Sequence, residues 1–98
     1  MKPKVVISPR AVDEITQSIA WYNEQKRGLG KRYFTKLRSL IKTIQKTPRA
    51  FEIKYENLRG AIMDGFPFIV LYFISDLEEI VITAVFHTSR NPDAMPHE

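Results

Sequence analysis

Three apolar runs separated by short connections dominate the second half of the chain. They cover residues 58–63, 67–74 and 80–86, and the pair Asp64-Gly65 between the first two is a turn signal. Neighbouring parallel strands need a crossover connection of about a dozen residues or more, and neither connection here is that long. We therefore predict an antiparallel meander of three strands. The last two runs are apolar on both faces, so we expect helices to cover one face and the other to be packed or left for a partner.

The first half of the chain begins with a short strand and a helix start. Residues 4–7 are mainly β-branched, which predicts the strand. Ser8 is a suitable N-cap, and Pro9 suits the first helical position because no backbone N–H is needed there. The helix is predicted to reach about Lys26, since apolar residues recur at spacings of three and four along one face: Val12, Ile15, Ile19 and Tyr22.

A second helix is predicted from about Gly30 to Thr47, before Pro48. Its apolar face consists of Phe34, Leu37, Leu40, Ile41 and Ile44. Only a few residues join the two helices, which favours an antiparallel helical hairpin. The predicted fold is α+β, in the order βααβββ, with the helical hairpin packed on a small antiparallel sheet in a single domain of residues 1–98. Residues 88–98 are polar and contain proline, so we expect a loop or flexible tail.

Composition argues against several kinds of chemistry. The chain has no cysteine, and neither His87 nor His97 has a second metal ligand at helical spacing. We therefore expect no metal and no cofactor. The longest apolar run, residues 66–74, is much shorter than the ~20 residues of a membrane helix. The N-terminal residues lack a signal-peptide pattern, so we expect a cytoplasmic protein without membrane contact.

Positive charge is concentrated in one segment. Nine basic residues and no acidic one lie between Gln25 and Phe51, and because the whole chain carries +4, the remainder carries −5. The candidate binding residues share one side of the predicted second helix and are Lys31, Arg38, Lys42 and Lys46. This face is either a solvated surface rich in helix-forming residues or a binding surface for something acidic. The acidic partner is a nucleic-acid phosphate backbone or an acidic protein segment.

A second candidate cluster combines two arginines with a histidine. Arg59 lies in the first strand of the meander, His87 where the last strand ends, and Arg90 just beyond. If the three converge, they could orient a phosphodiester, stabilise its transition state and transfer a proton, as metal-free RNA cleavage requires. In the alternative interpretation, Arg59 pairs with a nearby carboxylate (Glu52, Glu56 or Asp64), His87 caps the strand end and Arg90 is exposed.

Several short motifs follow one another in a fixed order along nearly the whole chain. They are Trp21-Tyr22, Gly28-Leu29-Gly30, Leu58-Arg59, Phe66-Pro67-Phe68 and the segment from His87 to Pro92 with the pattern His-x-x-Arg-x-Pro. In this order they resemble the ParE/RelE toxin superfamily. The resemblance implies a toxin of a prokaryotic type II toxin–antitoxin module, with a βααβββ fold, that is neutralised by a small cognate antitoxin.

Two mechanisms occur in that superfamily: RelE-like members cleave mRNA on the ribosome, and ParE-like members block DNA gyrase. RelE-like chains commonly carry an arginine where this sequence has Phe68, and a late tyrosine or histidine about where it has Met95. Lys54, like the two arginines, is a basic residue at a family-like position, and we add it to the candidate binding residues. Because the arginine and the late tyrosine or histidine of RelE-like chains are absent, the resemblance favours a ParE-like toxin that binds gyrase and has no catalytic activity.

Two alternatives stay open. One is a metal-independent ribonuclease that acts on ribosome-bound mRNA through Arg59, His87 and Arg90. The other is an inactive toxin-fold protein that binds only its antitoxin. In each case the apolar meander beside a basic segment is expected to accept an amphipathic, acid-rich antitoxin chain that folds on binding.

Overall fold

The computed structural model describes residues 2–88, which form two helices and five strands. In chain order the elements are β1 (Val5–Ile7), α1 (Pro9–Gln25), α2 (Leu29–Lys46), β2 (Ile53–Tyr55), β3 (Leu58–Ile62), β4 (Phe68–Ile74) and β5 (Ile80–His87). The predicted α+β class is confirmed, as is the order of a strand, a helical hairpin and a meander. The predicted tail, apart from Thr88, lies outside the described residues.

The five strands form one mixed sheet in the order β1-β5-β4-β3-β2. β3, β4 and β5 are the predicted antiparallel meander. The prediction that the sheet is antiparallel is wrong for β1, which pairs with β5 in parallel. The long chain between these two strands allows the crossover that a parallel pair needs. β2 was not predicted, and it pairs with β3 as an antiparallel edge strand of only three residues. A strand so short and so exposed has no readable alternation of apolar and polar residues.

Helix α1 begins at the predicted cap. The Ser8 hydroxyl accepts a hydrogen bond from the Ala11 N–H at 3.1 Å and donates one to the Thr83 carbonyl at 2.9 Å, which joins the helix start to β5. The prediction that Val12 faces the core is wrong, since its side chain is 46% exposed. The buried positions are Ala11, Ile15, Ser18 and Tyr22. Two of these are small residues, which lets the helix lie close to the sheet.

Two glycines shape the connection between the helices. Gly28 has a φ of +83°, in the left-handed region that favours glycine. Gly30 lies directly against α1, where an added Cβ would be 2.6 Å from the Ile19 carbonyl oxygen. Its N–H donates a hydrogen bond to Asn23 Oδ1 at 2.9 Å. The hairpin is therefore most tightly packed next to its turn.

Helix α2 buries the side opposite its basic residues. Leu37 and Ile44 are buried as predicted, and Leu40 and Ile41 are partly buried against the core. The prediction for Phe34 is wrong, because its side chain is 40% exposed and the Arg38 guanidinium lies 6.0 Å from the ring centroid. Tyr33 takes the core position instead and is fully buried.

The sheet has an inner face that packs on the helices and an outer face that does not. On β4 the inner face carries Phe68, Val70 and Tyr72, which belong to the main core together with residues of both helices. The outer face holds a second, smaller cluster of three buried and three partly buried side chains: Leu58, Leu71, Ala84, Tyr55, Ile69 and Phe73. The apolar composition of both faces is thus explained by two clusters of unequal size.

Candidate functional surfaces

Arg59 fastens the loop that follows α2. It pairs with Tyr72 across β3 and β4, and its Nη1 donates hydrogen bonds to the carbonyl oxygens of Phe51 at 2.7 Å and Arg49 at 3.2 Å. The Tyr72 hydroxyl donates to the Pro48 carbonyl at 2.6 Å. These two side chains therefore form a clamp on residues 48–51. The hydrogen bonds of Arg59 go to backbone carbonyls, where the alternative interpretation expected a carboxylate.

The Tyr72 phenol is kept protonated by its burial. Burial raises the pKa of its phenol, and the positive charge of Arg59 acts in the opposite direction. The hydroxyl therefore stays protonated and can donate to the Pro48 carbonyl. A group held in this way is a structural hydrogen-bond donor.

His87 lies toward the other end of the sheet. It pairs with Phe68, whereas Arg59 pairs with Tyr72. Those two partners are four residues apart on β4, which corresponds to about 13 Å of extended strand. The register of the meander therefore does not bring Arg59 and His87 together. Arg90, the third member of the cluster, lies outside the described residues.

The His87 ring packs against the core. It meets the edge of the Phe68 ring at a centroid distance of 5.0 Å. Phe68 in turn contacts Tyr22 and Tyr33, so the imidazole closes one end of an aromatic cluster. The contact places the imidazole of His87 against the aromatic part of the core.

The basic face of α2 is exposed along its length. Each of its four candidate residues is solvent-exposed, as predicted: Lys31, Arg38, Lys42 and Lys46. In the part of the chain that the structure describes, none of the four side chains forms an ion pair or a hydrogen bond. Lys36, on a neighbouring side of the helix, lies 3.7 Å from an Asp64 carboxylate oxygen. The unopposed charge of this face is therefore available to a partner.

Lys54, the fifth candidate, lies on a different surface. Its Nζ is 3.1 Å from a Glu52 carboxylate oxygen in an exposed ion pair. Its aliphatic stem crosses Gly60 of β3, where an added Cβ would be 2.6 Å from Lys54 Cγ. The structure thus places Lys54 on the β2–β3 hairpin and does not bring it together with the basic face of α2.

Comparison with known proteins decides the family. A family model described as ParE toxin of type II toxin-antitoxin system, parDE, matches residues 5–92. The chain belongs to the ParE toxin family. Among solved structures, a chain of the chromosomal ParDE TA system from P. aeruginosa is similar, with a TM-score of 0.79 and 11% sequence identity. The match covers 90% of this chain and 98% of that one. No curated protein sequence matches.

The family assignment confirms the resemblance that the sequence motifs indicated. The similarity to the ParDE chain shows a shared fold at low identity. In residues 2–88 of this ParE family member, no three His, Cys, Asp or Glu side chains are grouped as a metal site would require. Neither of its two described helices is long and apolar enough to cross a membrane.

Sequence reasoning missed the role of one acidic side chain, Glu14, in holding β5 of this ParE family member. Glu14 Oε1 accepts a hydrogen bond from the Val85 N–H at 2.9 Å, just beyond the register shift between β4 and β5. Glu14 Oε2 also lies 3.3 Å from Arg10 Nε. The carboxylate therefore fixes the last part of β5 against α1. Its signal in the sequence is an acidic residue beside the buried stripe that contains Ala11 and Ile15.

Proposed function

We propose that this ParE family member is the toxin of its module and arrests growth by binding DNA gyrase, without catalysis of its own. The separation of Arg59 from His87 is the observation that carries the proposal. Charge stabilisation and proton transfer must reach the same phosphodiester. The two side chains lie at positions about 13 Å apart along the sheet. Arg59 is also engaged in the clamp on residues 48–51.

A cognate antitoxin neutralises the toxin in the same proposal, with both proteins in the cytoplasm. Its binding is supported by a shallow cavity of about 250 Å³ between α2 and β3, lined by Lys36, Ser39, Leu40, Thr43, Ile62 and Asp64. Ile62 is 68% exposed. Leu40 and Ile62 give the cavity an apolar part beside a cationic helix, which suits an amphipathic helix that carries acidic residues. The unpaired cations of α2 also speed the encounter with an acidic chain.

Expression of the toxin without antitoxin tests the mode of action. We expect growth arrest with DNA-damage signalling and intact mRNA, and we expect the purified protein to inhibit supercoiling by gyrase. His87→Ala is expected to leave toxicity unchanged. Fragments of ribosome-bound mRNA that disappear with His87→Ala would replace this proposal with the ribonuclease alternative. Absence of any growth effect would favour the inactive alternative.

Substitution of Ile62 tests the antitoxin surface. Ile62→Ser removes an apolar side chain whose burial is worth about 1.5–3 kcal/mol, so antitoxin affinity is expected to fall about tenfold to a hundredfold. Leu77→Ser is a matched control, because Leu77 is 81% exposed on the β4–β5 turn, away from this cavity. Equal losses from the two variants would contradict the placement. Calorimetry at two salt concentrations adds the electrostatic contribution, which is expected to weaken as salt rises.

A further inference from the structure

The exposed face of α2 differs from an ordinary solvated helix surface in its charge. The helix contains no acidic residue, although Lys and Arg occupy six of its positions: Lys31, Arg32, Lys36, Arg38, Lys42 and Lys46. Four of them, Lys31, Arg38, Lys42 and Lys46, lie within an arc of about 80° and extend over about 22 Å of helix. We refer to these four residues as the cationic ridge. Arg38, Lys42 and Lys46 follow one another at spacings of four residues, where like charges repel.

The residues between the cations are hydroxyl-bearing. Thr35 lies within the arc of the ridge, Ser39 lies about 20° beyond its edge, and both are exposed. Contacts to phosphate oxygens in protein–DNA complexes come from Lys and Arg together with Ser and Thr hydroxyls. The ridge therefore has the composition of a surface that contacts a phosphate backbone.

A protein partner fits this face less well. Helix α2 is described along its whole length, and the arc from Arg38 round to Lys36 carries no apolar side chain. An amphipathic helix needs an apolar surface to bury, and such a surface lies beside Leu40 and Ile62, on the flank of the ridge. Duplex nucleic acid presents one negative charge per ~1.7 Å of axis, a denser array of anions than a helical peptide offers.

We infer that the cationic ridge of α2 binds the phosphate backbone of duplex nucleic acid without reading its sequence. The ridge offers cations and hydroxyls, which are the groups that contact phosphate oxygens in protein–DNA complexes. Such binding would hold the toxin near DNA-associated targets while the cavity beside Ile62 stays open. It does not depend on gyrase inhibition, because the protein and a duplex are the only components required.

The test is a salt titration of duplex binding with the full chain. Fluorescence anisotropy with a short DNA duplex of mixed sequence should give a slope of log affinity against log salt of about −3.6, the value for four neutralised phosphates. An RNA duplex of equal length distinguishes the source of the phosphates. Equal slopes for both duplexes would support recognition of the phosphate backbone that DNA and RNA share. Binding of only one duplex would also support backbone recognition and would identify that nucleic acid as the ligand. Failure of both duplexes to bind at low salt would overturn the proposal.

Two triple variants with the same charge separate the ridge from the net charge of the protein. Lys31→Gln, Arg38→Gln and Lys42→Gln together should reduce the magnitude of the slope by about 2.7. Lys4→Gln, Arg10→Gln and Lys26→Gln remove the same charge from positions outside α2 and should leave the slope unchanged. Glutamine is a good helix former, so the ridge variant is expected to fold. An unchanged slope in the ridge variant would refute the assignment, as would loss of antitoxin binding with duplex binding intact.

Discussion

Two buried tyrosines provide a matched test of the packing described above. Tyr33 and Tyr72 both have fully buried side chains, and substitution by phenylalanine removes one hydroxyl in each case. The Tyr72 hydroxyl donates to the Pro48 carbonyl at 2.6 Å, whereas the Tyr33 hydroxyl has no hydrogen-bond partner within the described residues. The same chemical change is therefore expected to have different effects on the free energy of unfolding.

The expected change in the free energy of unfolding depends on whether the substitution breaks a hydrogen bond. Tyr72→Phe should lower the free energy of unfolding by about 1–2 kcal/mol, because one hydrogen bond is lost and the Pro48 carbonyl loses its donor. In a domain of this size each kcal/mol corresponds to a melting temperature lower by about 4–8 °C. Tyr33→Phe should leave the free energy unchanged or raise it by up to about 1 kcal/mol, since an unsatisfied buried hydroxyl is removed.

Urea denaturation followed by circular dichroism measures both effects. Equal slopes against urea in all three proteins would show that the denatured states are comparable. Equal destabilisation by the two substitutions would refute the reasoning, because the Tyr72 hydrogen bond would then carry no special weight. A stable Tyr72→Phe variant with a destabilised Tyr33→Phe variant would refute it more strongly.

The pH dependence of stability gives an independent check on Tyr33. Burial raises the pKa of Tyr33 from 10.0 to about 12. Between pH 10 and 12 the unfolded phenol loses its proton while the folded phenol keeps it, so the unfolded state binds fewer protons and stability falls as pH rises. Tyr33→Phe should make this decline shallower. An identical decline in both proteins would contradict the assigned pKa.

Three further substitutions test the contacts that hold the elements together. Glu14→Ala should lower the free energy of unfolding, measured by urea denaturation, by about 1–3 kcal/mol because the Val85 N–H loses its acceptor. Glu14→Gln keeps an acceptor oxygen and should retain most of this stability, and equal stability of the two variants would contradict the contact. Gly30→Ala should lower the free energy of unfolding by about 1–3 kcal/mol because the added Cβ clashes with the Ile19 carbonyl. An unchanged melting temperature would disprove the close approach of the two helices at Gly30. Arg59→Met should speed hydrogen exchange in residues 49–52, and unchanged exchange would rule out the clamp.

The sequence predicts those parts of the fold that depend on local patterns. Ser8-Pro9 marks the start of α1 because capping is a local interaction, and short connections determine the meander because they exclude crossovers. The errors in the predicted core concern which side of each helix faces the sheet. On α2, Phe34 is exposed and the neighbouring Tyr33 is buried in its place. On α1, Val12 is apolar but exposed while Ala11 is buried, because the packing distance between the helix and the sheet determines which side of the stripe faces inward. That distance is a tertiary property.

The candidate site shows the same division. The exposure of the basic face of α2 follows from helical periodicity alone, so its four residues lie where they were predicted. Whether Arg59 and His87 converge depends on the strand register. The pattern of apolar residues does not define that register when both faces of the strands are apolar. The clamp by Arg59 and Tyr72 was likewise hidden, since its acceptors are backbone carbonyls of an irregular loop.

A shared fold at 11% identity and a TM-score of 0.79 means that this fold depends on residue type at a limited set of positions. In this chain the fold uses a cap, small residues on the buried side of α1, a left-handed glycine and alternate apolar strand positions. None of these requirements concerns the exposed arc of α2. Like charges spaced four residues apart there lower helix stability by a few tenths of a kcal/mol per pair. Within residues 2–88 no ion pair of the ridge compensates that cost. Bound phosphates would relieve this repulsion, which is the physical basis of the proposal that the cationic ridge binds duplex nucleic acid.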